Sequence, residues 1–263
     1  MLIVKIGGGK NINVSAIISD LRNISEPFII VHGANARRDK LLNELGIEKK
    51  IIQSVSGYSS VFSDEQTIDV MMMAYAGLVN KRIVEMCQQN GINAIGLSGL
   101  DGQVIQGKRN VGMRVRENGK IKILRDFSGK PKTINKNLLN LLLENGYTPV
   151  LCVPIIDENG FAINSENDDI VSLLTNELKA DKVIQLIEAK GYLEDANNPD
   201  SVVQKISFLE LEKREAEVEG RMKRKILALR KLFDVAKPTV YISDGRTEAP
   251  ITDALQEKGT VIK

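Results

Sequence analysis

The sequence predicts an α/β sandwich with a mainly parallel sheet, on three observations. Short apolar runs alternate with stretches of helical periodicity along the 263 residues. Glycine-bearing turns join strand-like runs to helices at two places near the start of the chain. Tryptophan is absent and aromatic residues make up 4%, so the core must come from Ile, Leu and Val.

Taken in order, Leu2–Ile6 is a strand that runs straight into Gly7-Gly8-Gly9. Residues 14–24 carry apolar side chains at helical spacing, Phe28–His32 is a second strand, and 38–45 is a helix stopped by Gly46. The longest helical pattern spans 64–90, with Ser63 and Gln66 placed as a capping box and Gly91 beyond its end. A strand is expected at 92–97. From 103 to 124 the pattern breaks into short alternating pieces around Gly107, Gly112 and Asn118-Gly119, which predicts hairpins. A helix at 135–144, a strand at 148–153, a turn at 157–160, a helix at 168–178 and a strand at Lys182–Ile187 follow. A basic amphipathic helix at 218–234 and strands at 239–243 and 259–262 close the chain. A soft division falls near Lys182, giving expected lobes of residues 1–181 and 182–263 within one continuous domain.

Composition excludes several classes. Net charge is +2, too small to imply nucleic acid. No apolar run approaches the roughly 20 residues that span a bilayer, and the N-terminus lacks the pattern of a signal peptide. Cys87 and Cys152 stand far apart and there is one His, so a common zinc site is not expected. Two buried thiols in a reducing cytoplasm are. Charge is unevenly spread: ten Lys or Arg but only two acids, Glu117 and Asp126, fall between 108 and 136.

Four segments carry candidate chemistry. Gly7-Gly8-Gly9 lets backbone approach an anion and present N–H groups, or is a plain tight turn. Its spacing is not that of a dinucleotide fold, since Ile12 stands where a third glycine is needed. His32-Gly33-Ala34-Asn35-Ala36 is a second strand-to-helix turn. Two such turns at one sheet edge suit phosphates, although a lone strand-end His is more often a structural hydrogen-bonder. Asn164-Ser165-Glu166-Asn167-Asp168 precedes a helix, where Asn167 or Asp168 could serve as a cap. Gly220-Arg221-Met222-Lys223-Arg224-Lys225 is a ligand-binding helix start or a solvated basic one. A fifth segment, Gly102 to Lys108, mimics a P-loop. Arg109 stands where a magnesium-binding hydroxyl is needed, and no helix follows, so a hairpin turn is expected there.

The combination Lys5-Ile6-Gly7-Gly8, His32-Gly33, Asn164 to Asp168 and Gly220 to Lys225 resembles the amino-acid kinase superfamily from end to end. The segments 31–36, 75–84, 91–102, 137–153, 220–225 and 244–251 are more similar to its carrier-protein-linked aminoadipate kinases of lysine biosynthesis, which use a LysW-type carrier. Ala76-Gly77-Leu78-Val79-Asn80-Lys81 and the run from Ala94 to Gly102 carry most of this likeness. The resemblance implies a three-layer α/β/α sandwich with an N-terminal amino-acid lobe and a C-terminal nucleotide lobe. It implies that Lys5 and Lys225 hold the transferring phosphoryl group and that Asp168 orients both lysines. Asn164, with Gly33, Ala34 and the position of Val61, would line the acceptor. Gly7, Gly8 and Gly191 would contact phosphates or nucleotide. ATP, Mg²⁺, a homodimer whose interface includes the 70–75 helix, and a small acidic carrier docking on the basic stretch are implied with it.

Such chemistry needs no general base. A carboxylate with a reference pKa of about 4.3 is already ionised at neutral pH. The obstacle is bringing one anion onto another, which lysines, Mg²⁺ and aimed N–H groups relieve. Two departures from the family pattern stand out. Val61 occupies the place of an arginine that grips the acceptor's carboxylate, leaving Arg37 or Arg38 as substitutes. The loop Ile187-Glu188-Ala189-Lys190-Gly191 keeps only the glycine of its counterpart. An N-acetylglutamate kinase, a nucleotide-binding regulatory protein without turnover and a nucleotide kinase are the rival readings.

Overall fold

A computed structural model describes residues 1–53, 59–117, 120–195, 197–217 and 220–263, with side chains described for all of these except 59, 116, 117, 120, 217 and 220–225. The chain opens with β1 (Leu2–Ile6), α1 (Val14–Leu21), β2 (Phe28–His32) and α2 (Asn35–Glu44). An antiparallel pair follows, β3 (Ile51–Gln53) and β4 (Ser59–Val61). Then α3 (Glu65–Met71) runs through a π-helical stretch (Met72–Val79) into α4 (Asn80–Gln89). Next come β5 (Ala94–Ser98), a 3₁₀ turn (Asp101–Gln103), β6 (Ile105–Arg109), β7 (Met113–Glu117), β8 (Lys120–Leu124) and β9 (Gly129–Ile134). They lead to α5 (Lys136–Glu144), β10 (Thr148–Cys152), β11 (Ile155–Ile156), β12 (Ala162–Ile163), α6 (Asn167–Leu178) and β13 (Lys182–Ile187). The chain closes through β14 (Lys205–Ile206), α7 (Phe208–Glu217), α8 (Gly220–Lys231), β15 (Thr239–Asp244), α9 (Pro250–Leu255) and β16 (Thr260–Ile262).

Eight strands form the central sheet in the order β14-β16-β15-β13-β1-β2-β10-β5. Every pairing is parallel except β15 with β16. Because strand side chains alternate between faces, each buried strand feeds two cores. Leu2, Val4, Ile6, Ile30, Val150 and Ile184 pack against α1, α4 and α9. Ile3, Ile29, Val31, Leu151, Val183 and Val240 pack on the other face against α3, α5, α6 and α8. The result is a three-layer α/β/α sandwich. β13 pairs with β1 from Leu2–Lys182 to Ile6–Leu186, so the sheet is continuous across the expected division near residue 182.

Several boundaries differ from expectation for identifiable reasons. The cap of the long helix is Asp64, not Ser63: the Asp64 carboxylate accepts from Thr67 N at 3.0 Å and Thr67 Oγ1 at 2.7 Å. Ser63 turns away, donating to Val61 O and accepting from Asn164 Nδ2. In the 103–124 region only β7 and β8 pair with each other, and the Asn118-Gly119 turn between them lies outside the described residues. β6 instead pairs with β9, which the pattern did not announce, and joins β11 and β12 in a four-stranded sheet. The P-loop mimic is therefore a 3₁₀ turn entering a strand. A Cβ at Gly107 would lie 2.7 Å from Lys130 O, so that glycine serves strand packing. The basic helix begins at Gly220, after a separate α7; the expected start at 218 falls outside the described residues.

Candidate active site

The sheet order places β1 centrally, with β2 on one side and β13 on the other. Ligands in such folds lie at the carboxyl ends of strands where the chain's direction of winding switches. A cleft of about 740 Å³ opens at these ends. Two turns form its floor. Gly33 N donates to Ile6 O and Ala36 N donates to Gly8 O, both at 2.9 Å. The turns touch backbone to backbone: a Cβ at Gly8 would stand 2.7 Å from Ala34 N, and one at Gly33 would stand 2.7 Å from Gly8 N. Both positions exclude a side chain for that reason. Gly7 also lines the cleft, but its N–H is donated to Leu186 O in the sheet, so it is not a donor to a bound anion.

Alternation along β1 decides where Lys5 points. Ile3 faces the α6 and α8 layer, so Lys5, two residues on, faces it too. There its ammonium donates to the Asp168 carboxylate, joining residues 163 apart in sequence. Both side chains are largely shielded, at 13% and 23% exposed. Neither Asn167 nor Asp168 caps α6. Glu166 occupies the N-cap position without a side-chain cap bond, and Asn167 Nδ2 donates to His32 O at 3.2 Å. Asp168 thus lies in the first helical turn, where a carboxylate is favoured by the helix dipole, with its side chain turned to Lys5.

α8 runs alongside α6 in a regular register. Ser172 Oγ donates to Ala228 O at 3.0 Å and Asn176 Nδ2 donates to Lys231 O at 2.9 Å. Carried one turn towards both N-termini, that register brings the backbone of residue 225 beside Asp168. The Lys225 side chain lies outside the described residues.

Val61 and Asn164 both line the cleft. Asn164 is fixed on three sides: its N–H donates to Phe127 O, its carbonyl accepts from Gly129 N, and its side chain donates to Ser63 Oγ at 3.0 Å. Ala34 does not reach the cleft but packs into the core. Of the two candidate arginines, Arg38 lines the cleft and Arg37 does not. Arg38 is buried and grips Asp39, whose other oxygen accepts from Lys49 at 2.7 Å. Burial pushes the Asp39 carboxyl up, but these hydrogen bonds from Lys49 and Arg38 outweigh it and hold it below its ordinary value. Gly191 is not in the cleft. It packs where a Cβ would meet Thr260 Oγ1 at 2.7 Å, beside β16, three strands along the sheet from β1.

Further residues line the cleft. Glu188 lies against Gly9 and accepts from Asn11 N at 2.6 Å. Tyr75 is buried yet also lines the cleft and donates to Asn35 Oδ1. Ser60 Oγ, Ser165 Oγ and Asn167 Oδ1 are buried without a partner among the described residues. Ser165 and Asn167 sit inside the flagged 164–168 segment, so a signal existed. Tyr75 and Lys49 had none that separates them from ordinary core and surface positions.

His32 is structural. Alternation along β2 turns it to the face opposite Lys5, where Asn80 Nδ2 lies 3.2 Å from its Nε2 and Gly33 O lies 3.3 Å from its Nδ1. Asn80 also donates to Val150 O, so it acts as donor and the His32 proton sits on Nδ1. Complete burial lowers the His32 pKa to about 4. The two buried cysteines have thiols pushed up to about 12, by burial in both cases, and are inert at neutral pH.

An α/β/α sandwich with a lysine–aspartate pair over two touching glycine turns defines a phosphotransferase. The chain belongs to the amino acid kinase family, whose model matches residues 1–244; it is an enzyme that phosphorylates a carboxyl group. It is 37% identical to the LysW-aminoadipate kinase of Thermus thermophilus, over the whole of both chains. It is 36% identical to the LysW-aminoadipate kinase of Deinococcus radiodurans, over all of this chain and 91% of that one. Among solved structures, smu.665 from Streptococcus mutans UA159 superposes with a TM-score of 0.75 at 21% identity, covering 100% of this chain and 98% of the other.

The His32 environment has a measurable consequence. Between pH 6.5 and about 4 an unfolded histidine binds a proton that the native one does not. His32 therefore contributes stability that is complete above about pH 6.5 and lost as pH falls towards 4, on the order of 3 kcal/mol in all. Urea unfolding of the wild type at pH 7 and pH 4.5 should show this loss, and His32→Gln should lack that part of the slope. Identical slopes for both proteins would contradict the assignment.

Proposed function

We propose that the protein uses ATP to phosphorylate the side-chain carboxylate of 2-aminoadipate carried as an amide on a small acidic carrier protein, with carrier-linked glutamate as a second acceptor. The observation that carries this reading is the Lys5–Asp168 pair poised over the Gly8–Gly33 contact. The likeness to two LysW-aminoadipate kinases over full length supports the acceptor.

In this reading residues 1–181 supply the acceptor side and residues 182–263 the nucleotide side. A carboxylate oxygen of the acceptor attacks the γ-phosphorus of ATP, the bond to the β–γ bridging oxygen breaks, and ADP leaves with the electron pair. Lys5 and Asp168 together are nearly neutral, so a net positive field on the phosphoryl group requires a second cation. Lys225 fills that role, its backbone being brought beside Asp168 by the α6–α8 register. Asp168 holds the ammonium groups, and Gly8 and Gly33 allow the phosphates to approach backbone. Mg²⁺ fits as an ion carried on the nucleotide. Among the described residues no group of three or more His, Cys, Asp or Glu could hold it alone, while Glu188 beside the glycine turn could add an oxygen to phosphate ligands. When bound it neutralises charge on the phosphate oxygens.

The basic stretch suits an acidic partner. Arg114, Lys122 and Arg125 are exposed on or beside the β7–β8 ribbon, with Ile121 and Ile123 exposed among them. Lys108 and Lys130 face each other directly across β6 and β9, an arrangement of like charges that costs stability in isolation and is relieved by an anionic partner. The π-helical stretch, with Met73 exposed, is the face proposed for a homodimer.

ADP release with carrier-linked 2-aminoadipate, compared with free N-acetylglutamate and a nucleoside monophosphate, tests the reading. The carrier-linked acceptor should be preferred, and Lys5→Ala should lower kcat by roughly 100-fold or more with little change in acceptor KM. ATP binding without turnover on any carboxylate would contradict it. Carrier binding should weaken by about tenfold or more between 50 and 300 mM NaCl; affinity flat across that range would remove the basic face from the account.

A further inference from the structure

Arg38 is an unusual residue for a helix beside a cleft. It is 7% exposed, and it lines the cleft. A guanidinium has five N–H groups. Nε and Nη2 both donate to Asp39 Oδ1, at 2.9 and 2.7 Å, and Nη1 donates to Asn35 Oδ1 at 3.3 Å. One N–H on each terminal nitrogen is left over, on a side chain that lines the cleft. Asp39 does not cancel the local charge, because Lys49 shares it: two cations on one carboxylate leave +1.

Connectivity fixes which end of the cleft this charge serves. The Asp39–Lys49 bond ties α2 to the segment entering β3. Ile51 of β3 pairs with Val61 of β4, and both line the cleft. Arg38 therefore stands at the Val61 end, away from the Ile187–Glu188 side. Val61 offers no charge or hydrogen bond from its side chain. Arg37, the neighbouring candidate, is outside the cleft.

We infer that Arg38 binds the second, non-reacting carboxylate of the acceptor, so that this subsite is built from helix α2 instead of strand β4. The inference rests on the carboxylate-kinase reading and adds the residue that selects a dicarboxylate. Asp39 holds the guanidinium in place before the acceptor arrives, so little side-chain freedom is lost on binding. The two remaining N–H groups give the planar fork that matches a carboxylate.

The test compares carrier-linked 2-aminoadipate with the same conjugate whose α-carboxylate is capped as the carboxamide, by ADP release from wild type and Arg38→Gln. In the wild type, capping should raise acceptor KM roughly 10- to 100-fold, the value of a charge-assisted bond. Arg38→Gln should raise KM for the uncapped acceptor by a similar factor, with kcat and ATP KM within about threefold, and should no longer distinguish the two acceptors. Arg38→Lys should fall between. A wild type indifferent to capping, or a capping penalty of equal size in Arg38→Gln, overturns the inference while leaving the kinase reading intact. Wild-type protein that releases no ADP with either conjugate overturns that reading and the inference with it. The wild-type arm needs no variant to fold.

Discussion

The bond between Lys5 and Asp168 constrains most of what surrounds it. It joins the central strand to the first turn of α6, and it can form only because β1 alternates strictly between its two cores. Ile3 and Lys5 face α6, while Val4 and Ile6 face α1 and α9. A register slip of one residue would bury the ammonium among the aliphatic side chains of the other face. The same alternation sends His32 to that other face, where it is neutral and hydrogen-bonded to Asn80 and Gly33. Lys5 is thereby left as the cation at the ends of β1 and β2, with the histidine holding the shape of the Gly33 turn.

The cleft above this pair is organised for bringing two anions together. Touching glycine backbones form its floor, and charges are distributed in pairs around its wall: Lys5 with Asp168, and Arg38 and Lys49 with Asp39. Pairing fixes each cation without neutralising the site as a whole, provided a second cation stands at each end. Lys49 is the second cation on Asp39. Preorganisation of this kind acts through geometry: the side chains do not need to reorient when the substrate charge arrives.

The fold was legible where strands are buried on both faces. β1, β2 and β13 are mainly apolar runs with the bounds expected of them, because strands so rich in Ile, Leu and Val fit only a core. β9 and β14 were not legible. They are rich in Lys and Thr or only two residues long, and they form through partners far away in sequence. The site followed the same division. Lys5, Asn164 and Asp168 were visible as chemistry-bearing residues, but their meeting is a long-range fact that no local pattern encodes. Capping was a sufficient local account of Asp168, and the structure sets it aside because Asp168 is turned to Lys5 and no side chain caps α6. Arg37 and Arg38 were equivalent in sequence. Successive residues on a helix point about 100° apart, and only the packing of α2 decides which one faces the cleft.

The central claim is that phosphate is transferred to a carboxylate in the Lys5–Asp168 cleft, and the product itself is its most direct witness. An acyl phosphate reacts with hydroxylamine to give a hydroxamate, which a phosphate ester does not. Turnover with carrier-linked 2-aminoadipate in the presence of hydroxylamine should give one hydroxamate on the carried amino acid for each ADP formed. ADP formed without hydroxamate would contradict the account.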